Sequence, residues 1–349
     1  FYGKVIRGRK EQLPRWKQAI AWEESVMGEI LGQLYVKDNF SPKTKERYEK
    51  LCDEVFAAFA NRIKNLDWMS DATKQKSLQK LNTVTKKVGY PNTWKDFSKL
   101  DISDKLLVDN IKNANKYWFN YYISKLNKPV DRTEWEMTPQ TYNAYYNPSN
   151  NEIVLPAGIF VIPGFKDDEI DDAVIYGYAA ASTIGHEITH GFDDEGRQFD
   201  DKGNLQNWWQ EADELKFTEK AKNYINQFNN YVVLDSMHIN GEATLGENIA
   251  DLGGLVIALD AFKKTQQYQE GKLIDGLTPL QRYFLGYALG WLGHQRDEEL
   301  ATRVLTDVHS PAFLRVNGPF SNIDDWYKAF NIQPNDKMYR SENDRVKIW

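Results

Sequence analysis

The stretch STIGHEITHGFDD at residues 182–194 places two histidines four positions apart, with a glutamate directly after the first. On a helix, residues i and i+4 share a face, one above the other. His186 and His190 therefore point the same way and can both reach one ion. Glu187 sits where its carboxylate can reach a water beside that ion. Gly191 follows at once, where the helix can end and the chain turn. The bland alternative is a surface helix that happens to carry two imidazoles and a carboxylate. With only five histidines in 349 residues, chance produces this pattern on the order of once in two hundred such chains.

The pattern is the HExxH arrangement of zinc peptidases. A zinc centre that does chemistry needs a third protein ligand and one open position. The candidate lies in NGEATLGENIADLGG, residues 240–254, where Glu247 and Asp251 are again i and i+4 on an expected helix. Glu247 would be the ligand. Asp251 would accept a hydrogen bond from the second ring nitrogen of one ligand histidine, fixing its tautomer. Asp193, three residues past His190, would do the same for the other. Taken alone, this segment reads equally well as an acidic helix face. The nearby DDEGRQFDDKGN, residues 193–204, lacks the ligand spacing and closing glutamate of a calcium loop and reads as a plain connection.

The rest of the chain supplies a body for such a site. At 41% hydrophobic and 27% charged, it has enough apolar material for a large core, and its length fits two domains. Net charge is −6 and no long basic run appears, which argues against nucleic acid as a partner. No 18-residue apolar run is present, so no membrane segment is expected. The lone Cys52 excludes an intrachain disulfide and suits a reducing compartment, so a cytoplasmic location is the expectation. The chain opens at Phe1 rather than Met and is expected to be a piece of a longer protein, which leaves export or a surface location open.

Residues 12–95 read as three helices. Ser41-Pro42 and Ser70 act as caps, and the third helix stops at Gly89 and Pro91. Residues 103–127 read as a further helical hairpin piece. Two short runs around NPSNN, within 141–160, signal a hairpin whose edge strand is expected over 141–146. Helix resumes near Asp171, and more helices are expected at about 208–231, 242–265, 278–294 and 295–306.

Beyond HEITHGFDD, the chain carries TYNAYYNPSNNEIVLPAGIF, TLGENIADLGG and DVHSPAFLRVNGPF in that order, and ends at Trp349. The opening FYGKVIRGRKEQLPRW and DWMSDATKQKSLQKLNTVTKKVGYP belong to the same pattern. Together these segments resemble the neprilysin family of zinc metallopeptidases, M13, and within it the bacterial PepO-type neutral endopeptidases. The likeness covers nearly the whole chain and corresponds to the C-terminal half of a full-length member. Mammalian members carry disulfides and a cysteine-containing tail; this chain has neither, which fits the bacterial branch.

The resemblance implies a mainly α protein with a small β-sheet (α+β). It implies a thermolysin-like gluzincin catalytic domain over 126–349, preceded by a helical lid-domain portion over 1–125. It further implies one Zn2+ per chain on His186, His190 and Glu247, with Glu187 as the catalytic carboxylate. Asp251 and Asp193 would orient the histidines. Asn143 and Ala144 would hydrogen-bond the backbone of an extended peptide. His309 would stabilise the transition state, Arg315 would grip substrate carbonyls, and Ile159 and Trp291 would line the S1′ pocket. Ser182 and Thr183 are more polar than their family counterparts, so a less apolar S1′ preference is expected. Without the family, His309 would pass for a structural histidine, as His238 and His294 do. Three function classes follow: a zinc endopeptidase cutting oligopeptides, a truncated non-catalytic zinc-dependent peptide-binding piece, and a structural zinc protein. The last would want four protein ligands, which two His, one Glu and no nearby Cys do not supply.

Overall fold

The capping signals of the first ninety residues resolve into helices in a computed structural model that describes residues 1–104, 106–162 and 164–349. Helix α1 spans Arg15–Asn39 and α2 spans Pro42–Asn65. Ser41 caps α2 by accepting the Thr44 N–H at 3.1 Å, with Pro42 in the first turn. Ser70 accepts the Thr73 N–H at the start of α3, Asp71–Asn82.

Here the structure departs from the sequence reading. The third helix does not run on to Gly89; Thr85–Gly89 forms strand β1. The β-branched run Thr83-Val84-Thr85 favours a pleated backbone. Lys87 is buried against Glu152 at 2.8 Å, so its charge serves an internal ion pair rather than a solvated helix end. A single helix, α4 at Leu107–Ile123, occupies the next predicted helical region.

The hairpin forms around NPSNN, with β2 at Tyr145–Asn147 antiparallel to β3 at Glu152–Pro156. β1 lies parallel to β3 on its other side, giving the order β1-β3-β2. The edge strand is shorter than the expected 141–146. Asn143 and Ala144 precede it, in a segment folded tightly over Gly158, where an added Cβ would lie 2.7 Å from the Gln140 carbonyl oxygen. Residues on both sides of position 125 thus meet in one sheet.

After the short α5, Ala157–Phe160, one helical rod carries the histidines. It comprises α6 at Asp172–Ile175, a π-wound stretch Tyr176–Gly185, and α7 at His186–His190. The remaining helices are α8 at Glu211–Asn229, α9 at Leu245–Phe262, α10 at Gln266–Glu270, α11 at Pro279–Leu289 and α12 at Asp297–Thr306. Two more, α13 at Ala312–Phe320 and α14 at Asp324–Phe330, were not signalled by the sequence. A small hairpin, β4 at Val232–Leu234 with β5 at Met237–His238, follows α8. The fold is mainly α with a small sheet.

Helix α9 lies at the centre. Fourteen of its eighteen residues are buried, so it packs on all sides rather than along one stripe. It touches the π-wound stretch, α7, α2, α8 and α13. Glycines set its distance from the histidine rod. A Cβ at Gly254 would lie 2.3 Å from the Ala181 carbonyl oxygen, and one at Gly185 would lie 2.8 Å from the Gly254 Cα. A Cβ at Gly253 would strike Thr189 at 2.6 Å. Only backbones without side chains can cross this closely. That crossing brings the carboxylates of α9 to the histidines of α7.

Candidate metal centre

Three donor atoms converge from two helices. His186 Nε2 and His190 Nε2, on α7, are 3.1 Å apart. Glu247 on α9 places Oε2 3.3 Å from His186 Nε2 and Oε1 3.7 Å from His190 Nε2. A tetrahedral zinc with bonds near 2.0–2.1 Å requires ligand atoms about 3.4 Å apart. The donor set therefore fits zinc in both chemistry and spacing, and it is the one His/Cys/Asp/Glu cluster of this kind among the described residues.

The outer nitrogens are occupied. His186 Nδ1 lies 2.9 Å from Asp251 Oδ1, and His190 Nδ1 lies 2.7 Å from Asp193 Oδ2. Each imidazole thus donates outward from Nδ1 and turns its Nε2 lone pair to the centre. Burial alone would lower both histidines. Hydrogen bonds to Asp251 and Glu247 nevertheless raise His186 to about 10, and the bond to Asp193 raises His190 in the same direction. The negative field that holds a proton on these rings in the metal-free site would also attract a divalent cation, which displaces that proton from Nε2 when it binds. Glu247 is held well below the carboxylate range despite its burial, by its bonds to His186 and His309.

Asp251 is 1% exposed, and it needs a partner to remain ionised. Arg315, on α13, supplies one through a two-pronged pair, Nε to Oδ2 at 2.7 Å and Nη2 to Oδ1 at 2.8 Å. Arg315 Nη2 also reaches Glu247 at 3.4 Å, and the guanidinium lies over the Trp291 ring, 4.1 Å from its centre. Asp193 Oδ1 accepts the backbone N–H groups of Glu195 and Gly196 at 3.0 and 2.7 Å.

A cleft of about 690 Å³ opens over the centre. Its walls include Asn143, Ala144, Ile159, His186, Glu187, His190, Asp193, Glu247, Trp291, His309 and Arg315. Of the residues singled out from the sequence, Asp251 alone stands behind the wall, buried under His186. Glu187 is buried at the cleft floor, and desolvation raises its pKa above the ordinary glutamate value. His309 Nε2 is 3.1 Å from Glu247 Oε1. Ser182 turns its hydroxyl back to the Tyr178 carbonyl, so that polar atom is satisfied within the rod and does not face the cleft unpaired.

One residue at the site escaped the sequence reading. Asp307 accepts from His309 Nδ1 at 2.8 Å and from the His309 backbone N–H at 2.9 Å, and is itself paired with Arg303. The signal was present as an acidic residue two positions before His309 in DVHSP.

Comparison with known proteins agrees with this architecture. A family model described as peptidase family M13 matches residues 143–346, and a second with the same description matches residues 1–91. The chain belongs to peptidase family M13. Its M13 relatives include the neutral endopeptidase of Lactobacillus helveticus, 34% identical over 350 residues, an alignment covering 100% of this chain and 52% of that protein. Endothelin-converting enzyme 1 of Mus musculus is 34% identical over 357 residues, covering 99% and 46%. Among solved structures, the zinc metalloprotease Zmp1 of Mycobacterium tuberculosis in complex with inhibitor aligns with a TM-score of 0.92 at 42% identity, covering 100% of this chain and 53% of that one. PepO from Lactobacillus rhamnosis HN001 aligns with a TM-score of 0.91 at 33% identity, covering 100% and 54%. The chain spans about half the length of the M13 relatives it matches.

Proposed function

We propose that the chain is the metal-bearing half of a zinc endopeptidase that hydrolyses internal bonds of oligopeptides. The observation that carries this reading is the donor triangle of His186, His190 and Glu247, each histidine backed by its own carboxylate, under a cleft that also contains the buried Glu187, which has no ion-pair partner among the described residues. When bound there, zinc would lower the pKa of a water toward 7 and draw charge from the scissile carbonyl.

The chain's own residues do the rest. Glu187 accepts the proton of the attacking water and hands it to the leaving amine. Its raised pKa suits both halves of that exchange. The pKa of His309 is raised by its bonds to Glu247 and Asp307, so the ring carries both protons; held by Asp307 through Nδ1, it turns its Nε2–H from Glu247 to the oxyanion as that develops. Asn143 and Ala144, just ahead of the edge strand β2, hold the substrate backbone in an extended form. Arg315 offers Nη1 to a substrate carbonyl, since Nε and Nη2 are engaged by Asp251 and Glu247. Ile159 and Trp291 bound the pocket for the residue after the scissile bond. The helices before residue 126 serve as a lid portion and also lend β1 to the catalytic sheet.

A second reading, a peptide-binding piece without turnover, rests on the chain's spanning about half of its relatives. Cleavage of an internally quenched oligopeptide by the 349-residue chain with one equivalent of zinc, run beside Glu187→Gln, separates the two. Zinc-dependent cleavage lost in the variant is the expected result. Zinc and peptide binding without cleavage would favour the second reading for this chain, and failure to bind zinc would sink the first.

A further inference from the structure

We propose that Lys80 is a positioning residue for the metal centre, acting on His190 through the backbone of the 191–199 loop and Asp193. This rests on the metal-site reading above. Lys80 lies near the C-terminal end of α3, outside the histidine and carboxylate motifs, and is 1% exposed. A buried lysine is costly unless all its donors are met. Here the three N–H groups of one ammonium meet three backbone carbonyls, Gly191 at 2.6 Å, Gly196 at 2.7 Å and Phe199 at 2.7 Å. Phe192, Tyr146 and Trp208 surround it, with ring centres 5.4–5.9 Å away.

Those three carbonyls belong to the loop that leaves the histidine helix. Gly196 is held at both its peptide groups: its carbonyl by Lys80, its N–H by Asp193 Oδ1 at 2.7 Å. Asp193 Oδ2 then takes His190 Nδ1 at 2.7 Å. The loop has little room to adopt another path, since a Cβ at Gly196 would sit 1.7 Å from the His190 carbonyl oxygen. Burial pulls the amine down and the charges of Asp193, Asp200 and Asp201 oppose that, leaving it at about 7, so the aspartates support the lysine's charge. The two ligand histidines are thus oriented alike. Each leans on a carboxylate, and each carboxylate is set by a buried cation: Arg315 directly for Asp251, Lys80 through the loop for Asp193.

The test is zinc affinity, measured by competition with a chromophoric chelator, for wild type, Lys80→Met, Asp193→Ala and the double variant. The single variants are expected to bind zinc about 10- to 100-fold more weakly. The double variant is expected to lie within about twofold of Asp193→Ala, because both changes act on one chain of contacts. A lysine that only anchors the fold would lower the melting temperature and leave zinc affinity within twofold of wild type, or would add its full loss to that of Asp193→Ala; either result overturns the proposal. If Lys80→Met does not fold, Lys80→Gln carries the same comparison, with a loss of fivefold or more expected and a loss under twofold overturning it. Wild type that binds no zinc would overturn the metal-site reading itself. Wild type that binds while the variants bind equally well would overturn only the role of Lys80.

Discussion

Replacing Gly254 by alanine sets helix propensity against packing. In an exposed helix this change stabilises by about 1 kcal/mol. In α9 the added methyl would lie 2.3 Å from the Ala181 carbonyl oxygen and 2.7 Å from the His186 backbone nitrogen. Both are main-chain atoms, so no rotamer change relieves the clash. Ordinary contact needs about 1 Å more, and α9 must withdraw from the histidine rod by roughly that distance. Overpacking of this kind costs about 1–3 kcal/mol, and subtracting the propensity gain of about 1 kcal/mol predicts a net loss of about 0–2 kcal/mol in place of a gain. Glu247 and Asp251 move with α9, two turns and one turn before the substitution. Metal–ligand distances tolerate only about 0.2 Å, so zinc affinity should fall about tenfold or more. Thermal unfolding of the metal-free chain and chelator competition read the two effects separately. Gly293→Ala, at a position with open space around it, is the control and should change neither. A higher melting temperature for Gly254→Ala together with unchanged zinc affinity would refute the argument that a close helix crossing builds the site.

Other perturbations follow from the same geometry. Desolvation raises Asp194 to about 6. A carboxyl that holds its proton more tightly when folded costs stability as pH rises from the unfolded value toward 6, and the full cost persists above that. Asp194→Asn should therefore stabilise the chain by about 1–3 kcal/mol at pH 7.5, with the gain fading below pH 4; a gain that is constant with pH would contradict this assignment. Asp307→Asn should lower kcat/KM about 10- to 100-fold while leaving zinc affinity unchanged, because it frees His309 without touching a ligand; a change confined to zinc affinity would place Asp307 elsewhere in the scheme. Zinc at 100 times its dissociation constant should stabilise the chain by about 2.7 kcal/mol, and His190→Ala should abolish most of that gain; an equal rise in melting temperature in both proteins would show zinc binding at another place.

The metal centre was the most legible part of the sequence, because helical spacing puts His186 with His190 and Glu247 with Asp251 whatever surrounds them. The caps Ser41 and Ser70 were legible for the same reason, since their hydrogen bonds are local. What failed to show depended on distant partners. β1 looked like the end of a basic helix because the sequence does not reveal that Lys87 is buried against Glu152. Helix α13 was hidden by Pro311, Gly318 and Pro319, yet the first lies just before the helix and the others fall in its last turn. Asp307 and Lys80 carry no motif of their own. Their contacts come from the path of loops that only the packed fold defines.

The central claim is that His186, His190 and Glu247 hold a single zinc. Its most direct test is the zinc content of the 349-residue chain after equilibrium dialysis, measured beside Glu247→Ala. One zinc per chain is expected in the wild type and substantially less than one in the variant under the same free-metal concentration. Equal zinc content in the two proteins, or none in the wild type, would contradict it.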